Sequence, residues 1–553
     1  MSVLAPAREL LPGRDDYDFR PPVLRADLLA GVTVGVVALP LALAFGVSSG
    51  AGPAAGLATA VVAGIVAAVF GGSPVQVSGP TGAMAVVLAP IVAVHGASSV
   101  AVVAVLAGLV VLVSGIARLG RLVAYLPWPV VEGFTVGIAC IIFLQQVPSS
   151  VGATAPPGKN PLLAAVAAVT HAATGATAAW SIAVVALVAV LMLGLPKLHR
   201  GTPASLVAVT VATVAAEILH APLPRIGSLP SVLAPALPSV TPGAIRDLAG
   251  AVVAVAALAA IESLLSARVA ATMTRGGPPV GPTRPDRELV GQGIASIASG
   301  LFGGMPATGA IARTAVNVRS GARTRFSAIT HALVILAVIY AASGLVSRIP
   351  LAALAGVLMV TSFRMVSLAT IREVVRASRA SAITFGATAL VTIAADLILA
   401  VEIGLLVAAF FALRHLAGAA HAQREPVPGP ATAGDEHIAV FRFEGAMFWG
   451  ASERLLSEIA GAVAADDIDI VVLRLSGLHT LDATGAKALG DTIEELEAGG
   501  VTVLVKVVRH HHRHLLSATG ALGKLRHGNH LFTTLEDALT HARSHMRRAD
   551  RAQ

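Results

Sequence analysis

The feature that most restricts this chain is an absence: the 90 residues between Asp27 and Arg118 contain no Asp, Glu, Lys or Arg. A bilayer span needs roughly 20 apolar residues, so this run alone holds about four spans. Charged side chains make up 13% of the 553 residues, against about 25% in a soluble globular domain. A water-soluble fold is therefore excluded for most of the chain. The net charge of +8 is modest for this length. It reads as loop charge beside anionic lipid rather than as a nucleic-acid surface. The single cysteine, Cys140, excludes an intrachain disulfide and a cysteine-based metal cluster.

The apolar segments fall into two groups of about seven, separated by a Pro-rich stretch at 221–243. Residues 1–24 form a polar N-terminal segment with no apolar core of a cleavable signal, and 25–420 carry the spans. With the N-terminus in the cytoplasm, the ends of even-numbered spans carry Arg118, Arg121, Lys197, Arg200, Arg275, Arg284, Arg287, Arg323, Arg325 and further arginines. The opposite side has chiefly Lys159, Arg225, Arg246 and Arg348. This positive-inside bias places both termini in the cytoplasm of a multi-pass cell-membrane protein. Composition changes after Ala420. A Pro/Gly/Ala linker is expected at 421–436, a small α/β domain at 437–545 and a polar tail at 546–553.

Two stretches inside the apolar region echo each other. Phe70-Gly71-Gly72 with Pro74, followed by Pro80-Thr81-Gly82-Ala83, matches Phe302-Gly303-Gly304 with Pro306, followed by Thr308-Gly309-Ala310. Each reads as the start of a half-helix with proline in its first turn. Broken helices at corresponding places in two halves point to a transporter binding site, and free N–H groups at helix starts attract anions. The expectation is an anion site between facing half-helices near the bilayer midplane.

With these stretches, the motif at 31–45 and Ala260-Ile261-Glu262-Ser263-Leu264-Leu265-Ser266, the chain resembles the SulP family of anion transporters (sulfate permeases, solute carrier family 26). Its C-terminal segment resembles the STAS domain that members carry. The resemblance implies a multi-pass α-helical membrane protein with fourteen spans as two inverted repeats of seven, two half-helices and a cytoplasmic α/β STAS domain. It also implies a core domain that moves against a gate domain, a homodimer, and a substrate drawn from sulfate, bicarbonate, chloride, oxalate and dicarboxylates.

Glu262 is the leading functional candidate, because a carboxylate inside a span is expensive. Ser266 lies one helical turn on. Sodium-coupled relatives have Asp and Thr at these two positions, so Glu262 with Ser266 suits proton or sodium coupling. A structural alternative is an ion pair of Glu262 with Arg268 or Arg313. Arg313, expected two turns into a helix starting at Pro306, would complement the substrate anion or Glu262. Arg319 is placed at the cytoplasmic end. Thr81, Gly82, Ala83, Thr308, Gly309 and Ala310 would offer backbone N–H groups and little steric bulk; tight helix packing is their structural alternative. Phe45 resembles an aromatic bordering the family's anion pocket. Ala38 and Leu41 stand where some relatives have glutamines, which makes the pocket more apolar.

Glu132 reads as interfacial and His95 as structural. In the tail, Leu481-Asp482-Ala483-Thr484-Gly485 resembles the phosphorylated loop of soluble STAS proteins, so a regulatory switch or partner there would use Asp482 and Thr484. The run of Arg509, His510, His511, His512, Arg513 and His514 lacks metal-ligand spacing and reads as a solvated basic face. No metal, cofactor or nucleic-acid partner is expected. No GxxxxGK[ST] loop or nucleophile–base pair argues for an enzyme. The reading is a secondary active carrier of a small anion, coupled to H+ or Na+. The rivals are a nucleobase permease of the related seven-plus-seven fold and a membrane-anchored sensor acting through the STAS domain.

Overall fold

The computed structural model describes residues 10–13, 16–121, 127–153, 161–170, 176–198, 203–228, 233–238, 242–274, 280–394, 397–430, 432–448, 452–466, 468–507 and 509–549. Lys159, Arg200 and Arg275, the first residues of the expected fifth span and the end of the polar tail lie outside these. The chain forms two compact units, Met1–Leu405 and Leu406–Gln553.

In the first unit, α1 (Pro21–Ser48) opens on prolines whose fixed φ suits a helix start and carries Pro40 in its interior. Helix α2 (Pro53–Phe70) is interrupted by a π-helical turn at Thr59–Ala63. An extended stretch leads to β1 (Ser78–Gly79) and the half-helix α3 (Gly82–His95). The first half continues with α4 (Ser99–Ile116), α5 (Trp128–Ser150), α6 (Pro161–Thr170), α7 (Ala176–Leu198) and α8 (Ala204–Ile218). The second half repeats the order with α9 (Pro242–Met273), α10 (Pro285–Leu301), β2 (Thr308–Gly309) and the half-helix α11 (Ile311–Arg319). It ends with α12 (Phe326–Val346), α13 (Leu351–Met365), α14 (Leu368–Ala377), α15 (Arg379–Ala394) and α16 (Leu397–Ala419), which from Leu406 on belongs to the second unit. Among the described residues, nine helices are long and apolar enough to cross a membrane. The described helices of this region outnumber the fourteen expected spans by two: α6 and α14 are short additional helices, one in each half.

Small residues let these helices meet backbone to backbone. A Cβ added at Gly108 of α4 would lie 2.8 Å from the Gly293 carbonyl oxygen of α10, and one added at Gly293 would lie 2.5 Å from the Leu112 nitrogen. Two of the arginines counted as loop charge are buried instead. Arg287 (1% exposed) holds Asp16 at 2.7 Å, and Arg325 (2% exposed) approaches the same carboxylate at 3.7 Å, so the segment before α1 is fastened to the helix ends.

In the second unit, β3 (His421–Glu425), β4 (Ile438–Met447), β5 (Ile470–Leu481), β6 (Thr502–Lys506) and β7 (Leu531–Phe532) form one sheet in sequence order. Strand β3 is antiparallel to β4, and the rest are parallel. Helices α17 (Ser452–Ala465), α18 (Ala483–Ala498), α19 (His510–Ala518) and α20 (Leu535–Ala549) cover it. Alternate strand residues serve two cores: Phe441, Val471, Leu473 and Val503 pack on one side, and Val440, Ile470, Val472 and Leu504 pack under Ala538, Leu539 and Ala542 of α20 on the other. Burial on both faces explains why these strands read as continuous apolar runs. The linker expected at 421–436 is corrected at its start. Residues 421–425 are the edge strand, held through Glu425, whose carboxylate accepts from Arg442 at 3.3 Å and Arg474 at 2.8 Å. A short polar edge strand carries almost no apolar pattern.

Candidate functional site

The two half-helices start from one place. Strands β1 and β2 pair antiparallel, with Ser78 opposite Gly309 and Gly79 opposite Thr308, so the two chains leave in opposite directions. The pairing displaces both helix starts from the prolines. Thr81 is the N-cap of α3, its hydroxyl accepting from the Met84 N–H, and Ala310 is the N-cap of α11. Pro80 and Pro306 therefore precede the helices, and Arg313 lies in the first turn of α11 rather than two turns in. The extended backbone around Pro306 is held by side chains: Met305 N–H donates to Thr59 Oγ1 at 2.8 Å, from the π-helical turn, and Ala307 N–H to Ser296 Oγ at 3.2 Å. Local helix propensity yields here to tertiary hydrogen bonds.

Glu262 of α9 joins both starts. Thr81 Oγ1 donates to Glu262 Oε2 at 2.9 Å, Thr308 Oγ1 donates to the same oxygen at 2.8 Å, and the two hydroxyl oxygens are 2.9 Å apart. The second carboxylate oxygen makes no hydrogen bond among the described residues. The alternative of an ion pair is not realised: Arg268 is exposed, and Arg313 Nη2 donates to the Pro80 carbonyl at 2.6 Å. Arg313 Nη1 is buried without a hydrogen bond. It is accommodated by Gly79, where an added Cβ would stand 2.8 Å from it.

The N–H groups divide by position. Those of Gly309 and Ala310 are taken, by Ser263 Oγ at 3.1 Å and the Val77 carbonyl at 2.9 Å. Helix geometry leaves the first N–H groups of each half-helix without an intrahelical partner, those of Gly82 and Ala83 on α3 and of Ile311 and Ala312 on α11. Phe45 and Ile142 stand over the first pair: a Cβ on Gly82 would be 3.2 Å from the Phe45 ring and 2.3 Å from Ile142 Cδ1. Ser266 is buried beneath Gly309 with its hydroxyl 3.3 Å from Thr314 Oγ1, away from the Glu262 hydrogen bonds. The arrangement supplies hydroxyl donors to one carboxylate, one free guanidinium N–H and two helix N-termini, a set suited to holding an anion beside an acidic group.

The sequence reading missed a buried carboxylate of the second half, Glu288. Glu288 of α10 accepts from the N–H groups of Gly72 (2.7 Å) and Ser73 (2.9 Å) and from Gln76 (2.9 Å) and Gln292 (2.8 Å). It fastens the extended stretch that leads into β1. Its neighbours Arg284, Asp286 and Arg287 disguise it as part of a charged loop. His331 of α12 is also buried with both ring nitrogens unpartnered. Glu132 accepts from Trp128 Nε1 at 3.1 Å in the first turn of α5, and His95 is exposed at the end of α3. In the tail, Asp482 caps α18 by accepting from the Gly485 N–H at 2.7 Å, and Thr484 is exposed beside it.

Half-helices that start back to back, with an acidic side chain between them, define a membrane carrier rather than an enzyme. The chain belongs to the sulfate permease family, whose pattern it matches over residues 24–388, and it matches the STAS domain over 429–538. It is 33% identical to the Bacillus subtilis protein YvdB, whose name proposes sulfate as its cargo, over 93% of this chain and 97% of that one. It is 31% identical to the bicarbonate transporter BicA of Picosynechococcus, over 85% and 86% of the two chains. The solved transmembrane domain of a cyanobacterial BicA superposes with a TM-score of 0.61 at 33% identity, covering 71% of this chain and 98% of that one. The murine anion transporter Slc26a9, solved in its inward-facing state, superposes with a TM-score of 0.84 at 16% identity over 98% and 95% of the chains, a likeness of fold.

Proposed function

We propose that the protein is a secondary active transporter of a small anion, sulfate or bicarbonate first and a dicarboxylate next, driven by H+ or Na+. The observation that carries this reading is the double hydrogen bond to Glu262 Oε2 from Thr81 and Thr308, one hydroxyl from each half-helix start. An anion enters between α3 and α11, taken by the N–H groups of Gly82, Ala83, Ile311 and Ala312 and by the free Arg313 Nη1. Phe45 forms an apolar border. Thr308, Gly309 and Ala310 shape the second half of the site, and Ser266 supports Thr314 behind it. Glu262 binds the coupling cation through its unoccupied oxygen: a proton that neutralises it, or sodium held with the two threonine oxygens. A cation there and an anion at the helix starts neutralise each other, so the pair moves at a lower electrostatic cost than either alone. The half-helices move as part of a core against a gate, in a homodimer with both termini in the cytoplasm of the cell membrane. The STAS domain regulates through Asp482, Thr484 or a partner bound there.

Uptake into proteoliposomes tests this. Labelled sulfate, bicarbonate and fumarate are each offered with a pH gradient, a sodium gradient or neither. Accumulation of one anion under one gradient is expected, and its loss in Glu262→Gln identifies the coupling group. Folded protein that accumulates none of the three overturns the reading and favours a nucleobase carrier or a sensor.

A further inference from the structure

The histidine run at 509–514 does not gather ligands. It forms the first turn of α19, which turns His512 inward and leaves His510, His511 and His514 exposed around the helix. A different set converges. His530 precedes β7, and His541 and His545 lie one turn apart on α20. One ligand atom from each of these three lies within 4.8 Å of the others. Among the described residues, no other trio of His, Cys, Asp or Glu does so.

We propose that His530, His541 and His545 form a binding site for a divalent transition-metal ion, zinc by the character of its ligands, which ties the last helix of the STAS domain to the edge of its sheet. Three observations carry this. His541 Nε2 and His545 Nε2 are 3.2 Å apart. Two nitrogens bound to one tetrahedral zinc at 2.0–2.1 Å are separated by about 3.3 Å, so the pair is already spaced for a shared ion. His530 is fully buried, and neither of its ring nitrogens makes a hydrogen bond. A buried imidazole left this way costs free energy unless something else takes the nitrogen.

The third observation is the carboxylate behind His530. Glu497 Oε1 lies 4.0 Å from His530 Nδ1 and accepts the Val503 N–H at 3.1 Å, while its Oε2 is buried without a partner. Metal-binding histidines commonly turn their other nitrogen to such a carboxylate, which fixes the tautomer. With Nδ1 facing Glu497, Nε2 of His530 is left for the ion. The ring of His541 is held by Phe532, with centroids 5.3 Å apart, so the site is set on packed elements. His527, whose ring centre is 5.2 Å from that of His530, is exposed and lies outside the converging trio, so water would complete four-coordination. Three imidazoles favour zinc, copper or nickel over magnesium or calcium.

The test uses the full chain in detergent, purified through a tag without histidine and stripped of metal. Zinc affinity is read by competition with a chromophoric chelator, and cobalt(II) supplies an absorption spectrum sensitive to geometry. One ion per chain is expected, with the intense bands of tetrahedral cobalt. His541→Ala and His545→Ala, both at half-buried positions, should each weaken zinc at least about 100-fold, and Glu497→Gln about tenfold. A triple variant, His510→Ala with His511→Ala and His514→Ala, should bind as the parent does. The proposal is overturned if the folded parent binds no zinc, if its cobalt spectrum is octahedral, if both α20 variants keep the parent's affinity, or if affinity is lost in the triple variant. The parent's stoichiometry and spectrum decide the matter even if a substituted protein fails to fold.

Discussion

Glu262 and Glu288, two of the carboxylates set inside the membrane unit, are partnered in different ways. Glu288 uses both oxygens on four N–H donors, two of them backbone, and every partner belongs to the structure that holds the stretch before β1. Glu262 uses one oxygen on two hydroxyl groups. Hydroxyl rotors can give up or reverse a hydrogen bond as the carboxyl gains or loses a proton, whereas backbone N–H groups can only donate. The same residue type is therefore fully used as a rivet at Glu288, while Glu262 keeps the bonding capacity that the proposed coupling role needs.

The largest effect is expected at Glu262. Glu262→Gln should abolish gradient-driven accumulation while the protein keeps its yield and melting temperature. Unchanged pH-driven or sodium-driven uptake in that variant would remove Glu262 from the coupling step. Glu288→Gln should do the reverse. It sets an amide N–H against donors and leaves some unpaired, at about 3 kcal/mol, so the melting temperature falls while surviving protein keeps its choice of ion and substrate. If Glu288→Gln instead alters coupling with no loss of stability, the contrast fails.

A smaller change is expected at the hydroxyl groups. Thr308→Val keeps the side-chain shape and removes one donor to Glu262, a loss of about 1–2 kcal/mol, or roughly tenfold in the apparent affinity for the coupling ion. Uptake measured against ion concentration checks this. A parent-like curve would assign the coupling ion elsewhere. Gly79→Ala tests the arginine, since the new methyl meets Arg313 Nη1. A several-fold rise in the anion KM with unchanged ion dependence is expected; an unchanged KM would leave Arg313 as a clasp for Pro80.

The smallest effect concerns Asp16. Burial would raise its carboxyl, but the Gly13 N–H and Arg287 outweigh burial and hold it below its ordinary value of 3.8. The stability this contributes is present above the ordinary value and is lost only as pH falls through the lowered one. Asp16→Asn should therefore leave the pH profile of uptake between about pH 5 and 8 unchanged. A profile that shifts with this substitution would place a titrating group at the N-terminal fastening instead of at Glu262.

Much of this was legible in one dimension. The charge-free run, the two matching Gly-Gly-x-Pro stretches and the lone acid in Ala260-Ile261-Glu262-Ser263 are local patterns, and each marks an element that is present. What escaped reading depends on partners distant in sequence. Helix α11 starts five residues after Pro306 because Thr59 and Ser296 hold the backbone extended. Strand β3 was hidden because an edge strand needs no apolar alternation. Glu288 and Arg287 looked like loop charges because their neighbours in sequence are charged.

Hydropathy by itself determined that the chain crosses a membrane many times and ends in a small α/β domain, since burying apolar residues in lipid or in a two-faced sheet depends on composition and period alone. Motif resemblance added the family. Only the tertiary structure decided that the two half-helices meet on a paired strand, that Thr81 and Thr308 converge on one oxygen of Glu262, and that His530, His541 and His545 meet while the conspicuous histidine run does not. These depend on atoms brought within about 3–5 Å across large sequence separations, a distance at which hydrogen bonds and metal coordination act and which no local pattern encodes.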